Sequence, residues 1–175
     1  MRKLNGSYRL GCLLVLGLMV ACAAQPVPPP QWTYEKDALQ IHLIADPKLN
    51  FASGVPHTLV TCIYQLKDPN AFNQLSDDLN GIYKLLECGL FDAGVATAKR
   101  LIVHPGQDVN ILLDRAEGAK YVAVVCGYYA LQKDRMTRLY EIPVAVEEKG
   151  MVKRTRSAVP QMLKVELTLG QEQIN

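Results

Sequence analysis

Histidine is scarce in this chain of 175 residues, with three copies, and tryptophan is scarcer, with one. His42, His57 and His104 each stand alone, with no second histidine at ligand spacing, so the sequence offers no metal centre. A Gly-x-Ser-x-Gly elbow and a glycine-rich phosphate loop are both missing. Ser53, Ser76 and Ser157 have no neighbouring base to activate them. The acidic pairs Asp77-Asp78 and Glu147-Glu148 diverge on a helix or a strand, whereas acid–base chemistry needs carboxyls that converge on one atom. These absences argue against an enzyme and against any cofactor. No apolar run approaches the ~20 residues a membrane-spanning helix needs.

What is present begins at the N-terminus. Arg2, Lys3 and Arg9 lead into an apolar run from Leu10 to Ala21, the pattern of a secretory signal. The run closes on Leu18-Met19-Val20-Ala21-Cys22, where small residues before a cysteine resemble the lipobox of bacterial lipoproteins. Residues 1–21 are therefore expected to be removed, and Cys22 to become the first mature residue and carry diacylglycerol. Several acyl chains, at ~0.8 kcal/mol per buried CH₂, tether a protein durably without spanning. Ala23 follows, and by resemblance to lipoprotein sorting rules the lack of Asp there favours the outer membrane, facing the periplasm. Residues 22–31 contain Pro26 and Pro28-Pro29-Pro30 and read as a short, stiff polyproline spacer.

Cleavage after Ala21 removes three of the nineteen basic residues and none of the seventeen acidic ones, leaving a mature charge of about −1. That balance gives no electrostatic footprint for nucleic acid. Residues 32–175 suit a single domain. Cys62, Cys88 and Cys126 allow one disulfide and a leftover thiol in an oxidising compartment, with the pairing open, although buried small apolar side chains are the favoured reading.

The domain reads as mostly β. Runs at Leu39–Ala45, Thr58–Leu66, Ala98–Val103, Val109–Leu113, Tyr121–Tyr129, Leu139–Val146 and Met162–Leu169 suggest a two-sheet sandwich. In the last run Leu163, Val165, Leu167 and Leu169 alternate with Lys164, Glu166 and Thr168, one face for the core and one for water. His104-Pro105-Gly106-Gln107 has the form of a turn joining two runs in a hairpin. Between the second and third strands, roughly Pro69 to Gly94, Phe72, Leu75 and Leu79 and then Ile82, Leu85 and Leu86 follow helical spacing and predict a small helical insert. Lys149, Lys153, Arg154 and Arg156 form a local basic cluster between the last two strands, read as a solvated hairpin, with contact to anionic lipid headgroups or cell-wall polymer as the alternative.

The lipobox, Leu49-Asn50 through Gly54, the string Val60 to Asp68 with Tyr64-Gln65-Leu66 at its centre, Phe72, Pro105-Gly106 and Tyr121 to Val125 together resemble the TssJ (VasD, SciN) lipoproteins of type VI secretion systems. The resemblance spans about residues 40 to 145 and departs from the family at Thr137-Arg138, where Trp-Arg is frequent. It implies a transthyretin-like β-sandwich with a small helical addition and no enzymatic activity. It also implies a partner, the periplasmic C-terminal domain of the inner-membrane protein TssM, held by the loop between the first two strands. In this chain that loop runs from Asp46 to His57 and offers Leu49, Asn50, Phe51, Ala52, Ser53 and Gly54 as contact residues. A competing expectation is that Leu49 and Phe51 fold back to cap the core. The alternative function is a periplasmic carrier of a small hydrophobic or cell-wall ligand, which a deep apolar cavity would favour.

Overall fold

The computed structural model describes residues 26–150 and 155–175. The signal segment and Cys22 lie outside the described residues, as do Met151 to Arg154 in the basic cluster. Among the described residues nine strands and three short helices follow in chain order: β1 Glu35–Ala45, β2 Leu59–Leu66, α1 Asn70–Ser76, α2 Leu79–Leu85, β3 Val95–Val103, β4 Asp108–Arg115, β5 Tyr121–Cys126, α3 Lys133–Met136, β6 Thr137–Glu141, β7 Val144–Lys149, β8 Thr155–Pro160 and β9 Leu163–Leu169.

Two sheets form the expected sandwich, one ordered β4-β1-β9 and the other β3-β2-β5-β6, while among the described residues β7 and β8 pair only with each other. Strand β1 is central to its sheet, antiparallel to β4 and parallel to β9, with Leu39 opposite Leu163 and Ala45 opposite Leu169. Leu39, Ile41 and Leu43 of β1 are fully buried, and β9 alternates buried and exposed residues as its sequence demands.

Strand β2 is buried on both faces, because a helical layer covers the side that does not meet the other sheet. The Tyr64-Gln65-Leu66 string explains how. The Tyr64 hydroxyl donates to the carbonyl of Leu85 at the end of α2, and burial pushes its phenol up to about 12. Gln65 points the other way and staples the sheets together, donating to the Asp114 carbonyl at 2.9 Å and accepting from the Ala116 N–H at 2.7 Å. Leu66 is fully buried. Cys62, on the same face as Tyr64, forms a disulfide with Cys88 just beyond α2, and Cys126 is free and buried. The pairing is thus settled, and the reading of these cysteines as merely small apolar residues fails for two of the three. A cross-link over a separation of 26 residues contributes about 2–4 kcal/mol and fixes the insert to the sheet.

The insert itself is two short helices packed closely. A Cβ on Gly81 would lie 1.9 Å from the Leu75 carbonyl oxygen, so only glycine lets α2 approach α1 this closely. Asp78 is exposed and caps α2, accepting from the Gly81 N–H at 2.9 Å.

Three further expectations are corrected. The His104–Gln107 turn forms, with Gly106 at φ 71° and the Gln107 N–H bonded to the His104 carbonyl at 3.1 Å, but it carries the chain from one sheet to the other and makes no hairpin. The run from Leu139 to Val146 is two strands, broken at Ile142-Pro143, because proline cannot donate to a ladder. Tyr121 to Tyr129 ends as a strand at Cys126.

Candidate partner-binding site

The loop between β1 and β2 is built from its own backbone outward. Asp46 starts it by accepting from the Lys48 N–H at 2.6 Å through its side chain and from the Leu49 N–H at 2.9 Å through its carbonyl. Leu49 then turns inward and is fully buried. Asn50 adopts a left-handed conformation, φ 49°, which asparagine tolerates better than most residues. Its amide donates to the Thr58 carbonyl at 3.1 Å and accepts from the Tyr129 N–H at 2.8 Å. The Phe51 N–H bonds the Gln171 carbonyl at 2.9 Å, tying the loop to the C-terminal segment.

Beyond these supports the loop projects. Ala52 and Val55 bond each other in both directions around Ser53 and Gly54, whose φ values of 52° and 83° make a tight reversal of the kind that favours glycine. Phe51 keeps 36% of its surface and Val55 50%. The Lys48 ammonium lies 5.9 Å from the Phe51 ring centroid.

Of the six residues expected to touch a partner, Leu49 and Asn50 are buried and hold the loop, while Phe51, Ala52, Ser53 and Gly54 present accessible surface. The fold-back expectation therefore describes Leu49 and not Phe51.

The structure adds a neighbour that the sequence reading placed inside a strand. His57 lies against Tyr129, ring centroids 4.9 Å apart, and its Nε2 is 3.2 Å from the Ala52 carbonyl. Tyr129 and Leu131 are 64% and 41% exposed, and with Tyr83, Leu86, Gly127 and Tyr128 they line a surface groove of about 280 Å³. Tyr128 faces inward, donating to the Gln173 carbonyl at 2.9 Å, and burial raises its phenol. A Tyr-Tyr-x-x pattern just past a buried strand was the available signal.

His42 also acquires partners invisible in the sequence, because Asp108 and Glu166 reach it from the two strands flanking β1, at 2.7 and 3.2 Å. Hydrogen bonds, first to Asp108 and then to Glu166, raise its pKa above the ordinary histidine value. This is a cross-strand ion cluster on the outer face of the sheet. Among the described residues no group of three or more histidine, cysteine, aspartate or glutamate side chains is arranged to hold a metal.

Comparison with known proteins agrees with this architecture. The family profile described as type VI secretion lipoprotein, VasD, EvfM, TssJ matches residues 37–169. The T6SS lipoprotein TssJ1 from Pseudomonas aeruginosa superposes with a TM-score of 0.57 at 20% identity, covering 84% of this chain and 95% of that one. Lip from Serratia marcescens, a membrane-bound component of the type VI secretion system, gives 0.55 at 14% identity over 78% and 94%. A chain in a structure described as the T6SS protein TssM C-terminal domain from EAEC gives 0.56 at 17% identity, again over 78% and 94%. No curated protein sequence matches the chain. At these identities the solved structures speak for the fold, and the profile, spanning nearly the whole sandwich, speaks for the family: the chain belongs to the type VI secretion lipoproteins of the VasD, EvfM and TssJ group.

Proposed function

We propose that this protein is lipidated at Cys22, tethered to the outer membrane, and holds the periplasmic C-terminal domain of a TssM-like inner-membrane protein through the Asp46–His57 loop. The single observation that carries the reading is the placement of that loop. It leaves the far end of β1 from the proline spacer, on a framework closed by Leu49, Asn50 and the Phe51 backbone, with Phe51 and Val55 left uncovered. A rigid loop bearing an aromatic residue loses little entropy when it docks, and such residues dominate binding energy at interfaces. Tyr129 and Leu131 extend the same end with further apolar surface. Residues 1–21 act as the signal, 22–31 as anchor and spacer, and 32–175 as the binding domain.

The role is that of a structural component of a secretion complex and calls for no cofactor beyond the covalent lipid. The carrier alternative gains no specific support, since the groove beside Tyr129, at about 280 Å³, is a surface feature just below the ~300–1,000 Å³ usual for small-molecule sites. The test is capture from envelope extract with the detergent-solubilised, lipidated chain as bait. Recovery of a large inner-membrane protein with a periplasmic C-terminal domain is the expected result. Its absence from an extract known to contain it would overturn the reading.

A further inference from the structure

We infer that the groove between α2 and the Gly127–Leu131 segment is the second half of the partner site, seating an apolar side chain of the protein that the Asp46–His57 loop grips. The inference rests on the reading of that loop as the partner site and adds the chemistry of what the partner must present.

The apolar arc of α2 is wider than the core can cover. At 3.6 residues per turn the order around the helix is Leu85, Ile82, Leu86, Leu79 and Tyr83, an arc of about 160° where a core-facing stripe needs roughly 100°. Exposure climbs along that arc. Leu85 and Ile82 are fully buried, Leu86 is half-buried, and Leu79 and Tyr83 are 43% and 53% exposed. The domain's own packing thus stops part of the way across an apolar face, and Tyr83 stands at its open edge.

Across from that edge runs the segment leaving β5, with Tyr129 and Leu131 uncovered. The two walls are fixed to each other. At the floor, a Cβ on Gly127 would lie 3.4 Å from a Leu86 methyl carbon, so these residues pack directly. At one end Lys133, the first residue of α3, donates to the Asp77 carbonyl at 2.9 Å. The Cys62–Cys88 disulfide and the bond from Tyr64 to the Leu85 carbonyl hold α2 on the sheet. The groove is therefore preformed, and a side chain entering it orders little else.

Continuity with the loop identifies the occupant. Tyr129 belongs to both features: it lines the groove, its ring lies against His57 of the loop, and its N–H is held by the Asn50 amide. A protein that covers Phe51 therefore meets Tyr129, and the groove opens on its far side. The lining is aliphatic and aromatic with no charged side chain, and the volume of about 280 Å³ suits one leucine- or phenylalanine-sized side chain better than a free ligand. Tyrosines with an apolar ring and a polar tip, as at the rim here, are enriched in protein–protein interfaces.

The test titrates the full lipidated chain in detergent with the TssM periplasmic C-terminal domain from the same organism. Tyr83→Ala and Leu131→Ala are each expected to weaken binding at least fivefold. Leu112→Ala, at a residue 52% exposed on the outer face of β4, should leave binding unchanged. Groove variants that bind like the unaltered chain, while Phe51→Ala binds more weakly, overturn the groove inference and leave the loop reading intact. An unaltered chain that does not bind the domain overturns both. Amide hydrogen exchange on the unaltered chain gives a second reading that needs no substitution, with protection expected at Tyr83, Leu86 and Gly127 to Leu131 when the domain is added. Protection there that appears only on concentrating the chain alone assigns the groove to a second copy and overturns the inference.

Discussion

At the loop end of the sandwich Asn50 satisfies its amide on two backbone partners, whereas at the spacer end Arg115 is buried with its Nε and Nη1 left unpartnered among the described residues. Arg115 instead spends Nη2 on Glu35 at 2.9 Å and on the Thr33 carbonyl at 3.1 Å, and lies over the Trp32 ring, 5.7 Å from its centroid. One end is closed by neutral hydrogen bonds that shape a loop for presentation. The other is clamped by a charge that grips the segment leading to the spacer. The difference fits the proposed division of labour, since a binding loop benefits from a fixed shape and an anchor attachment benefits from resistance to peeling. Strand β1, paired on both sides, connects the two.

The clamp is the place where the comparison breaks most sharply. Glu35→Ala leaves the Arg115 charge buried without its carboxylate and is expected to cost about 3 kcal/mol, the low end for a broken buried pair because Glu35 is itself half exposed. Arg115→Met, which removes the charge and its unmet donors while keeping volume, should cost much less. Chemical denaturation of the two variants side by side checks this, and equal losses would mean that the ion pair is incidental.

The loop end should respond differently. Asn50→Ala orphans the Tyr129 N–H and the Thr58 carbonyl and forfeits a residue suited to φ 49°, so a stability loss of about 1–3 kcal/mol is expected. Amide hydrogen exchange should then rise in the loop and at Tyr129 while the spacer end stays protected. A uniform rise across the domain would show that the two ends are not independent.

The smallest expected effect lies between the ends, at His42. Its pKa is raised in the folded state, so the stabilisation it provides is complete below about pH 6.5 and is lost as pH climbs through the raised value. Imidazole resonances followed by NMR should titrate above the ordinary histidine value, and Asp108→Asn should bring the midpoint down. A midpoint unmoved by Asp108→Asn would remove the ion cluster from the account.

The sandwich and its insert were legible because β1 and β9 alternate and the insert keeps helical spacing. Strand β8 was not, since Thr155–Pro160 is short, carries Arg156 and Ser157, and ends in proline. In the loop, Leu49 and Phe51 look alike as apolar residues two apart. Which one turns inward is decided by the Asp46 turn and the left-handed Asn50, and that choice depends on Tyr129 and Gly170, more than 75 residues away. The partners of His42 are likewise brought together only by the sheet.

The central claim, that the loop end binds and the spacer end does not, meets its most direct test in calorimetric titration of the protein with the TssM periplasmic C-terminal domain from the same organism. Phe51→Ala is expected to weaken binding by about 1–3 kcal/mol with folding stability changed by less than about 0.5 kcal/mol, and Val146→Ala to leave binding unchanged. Unaltered affinity in Phe51→Ala together with a loss in Val146→Ala would contradict the claim.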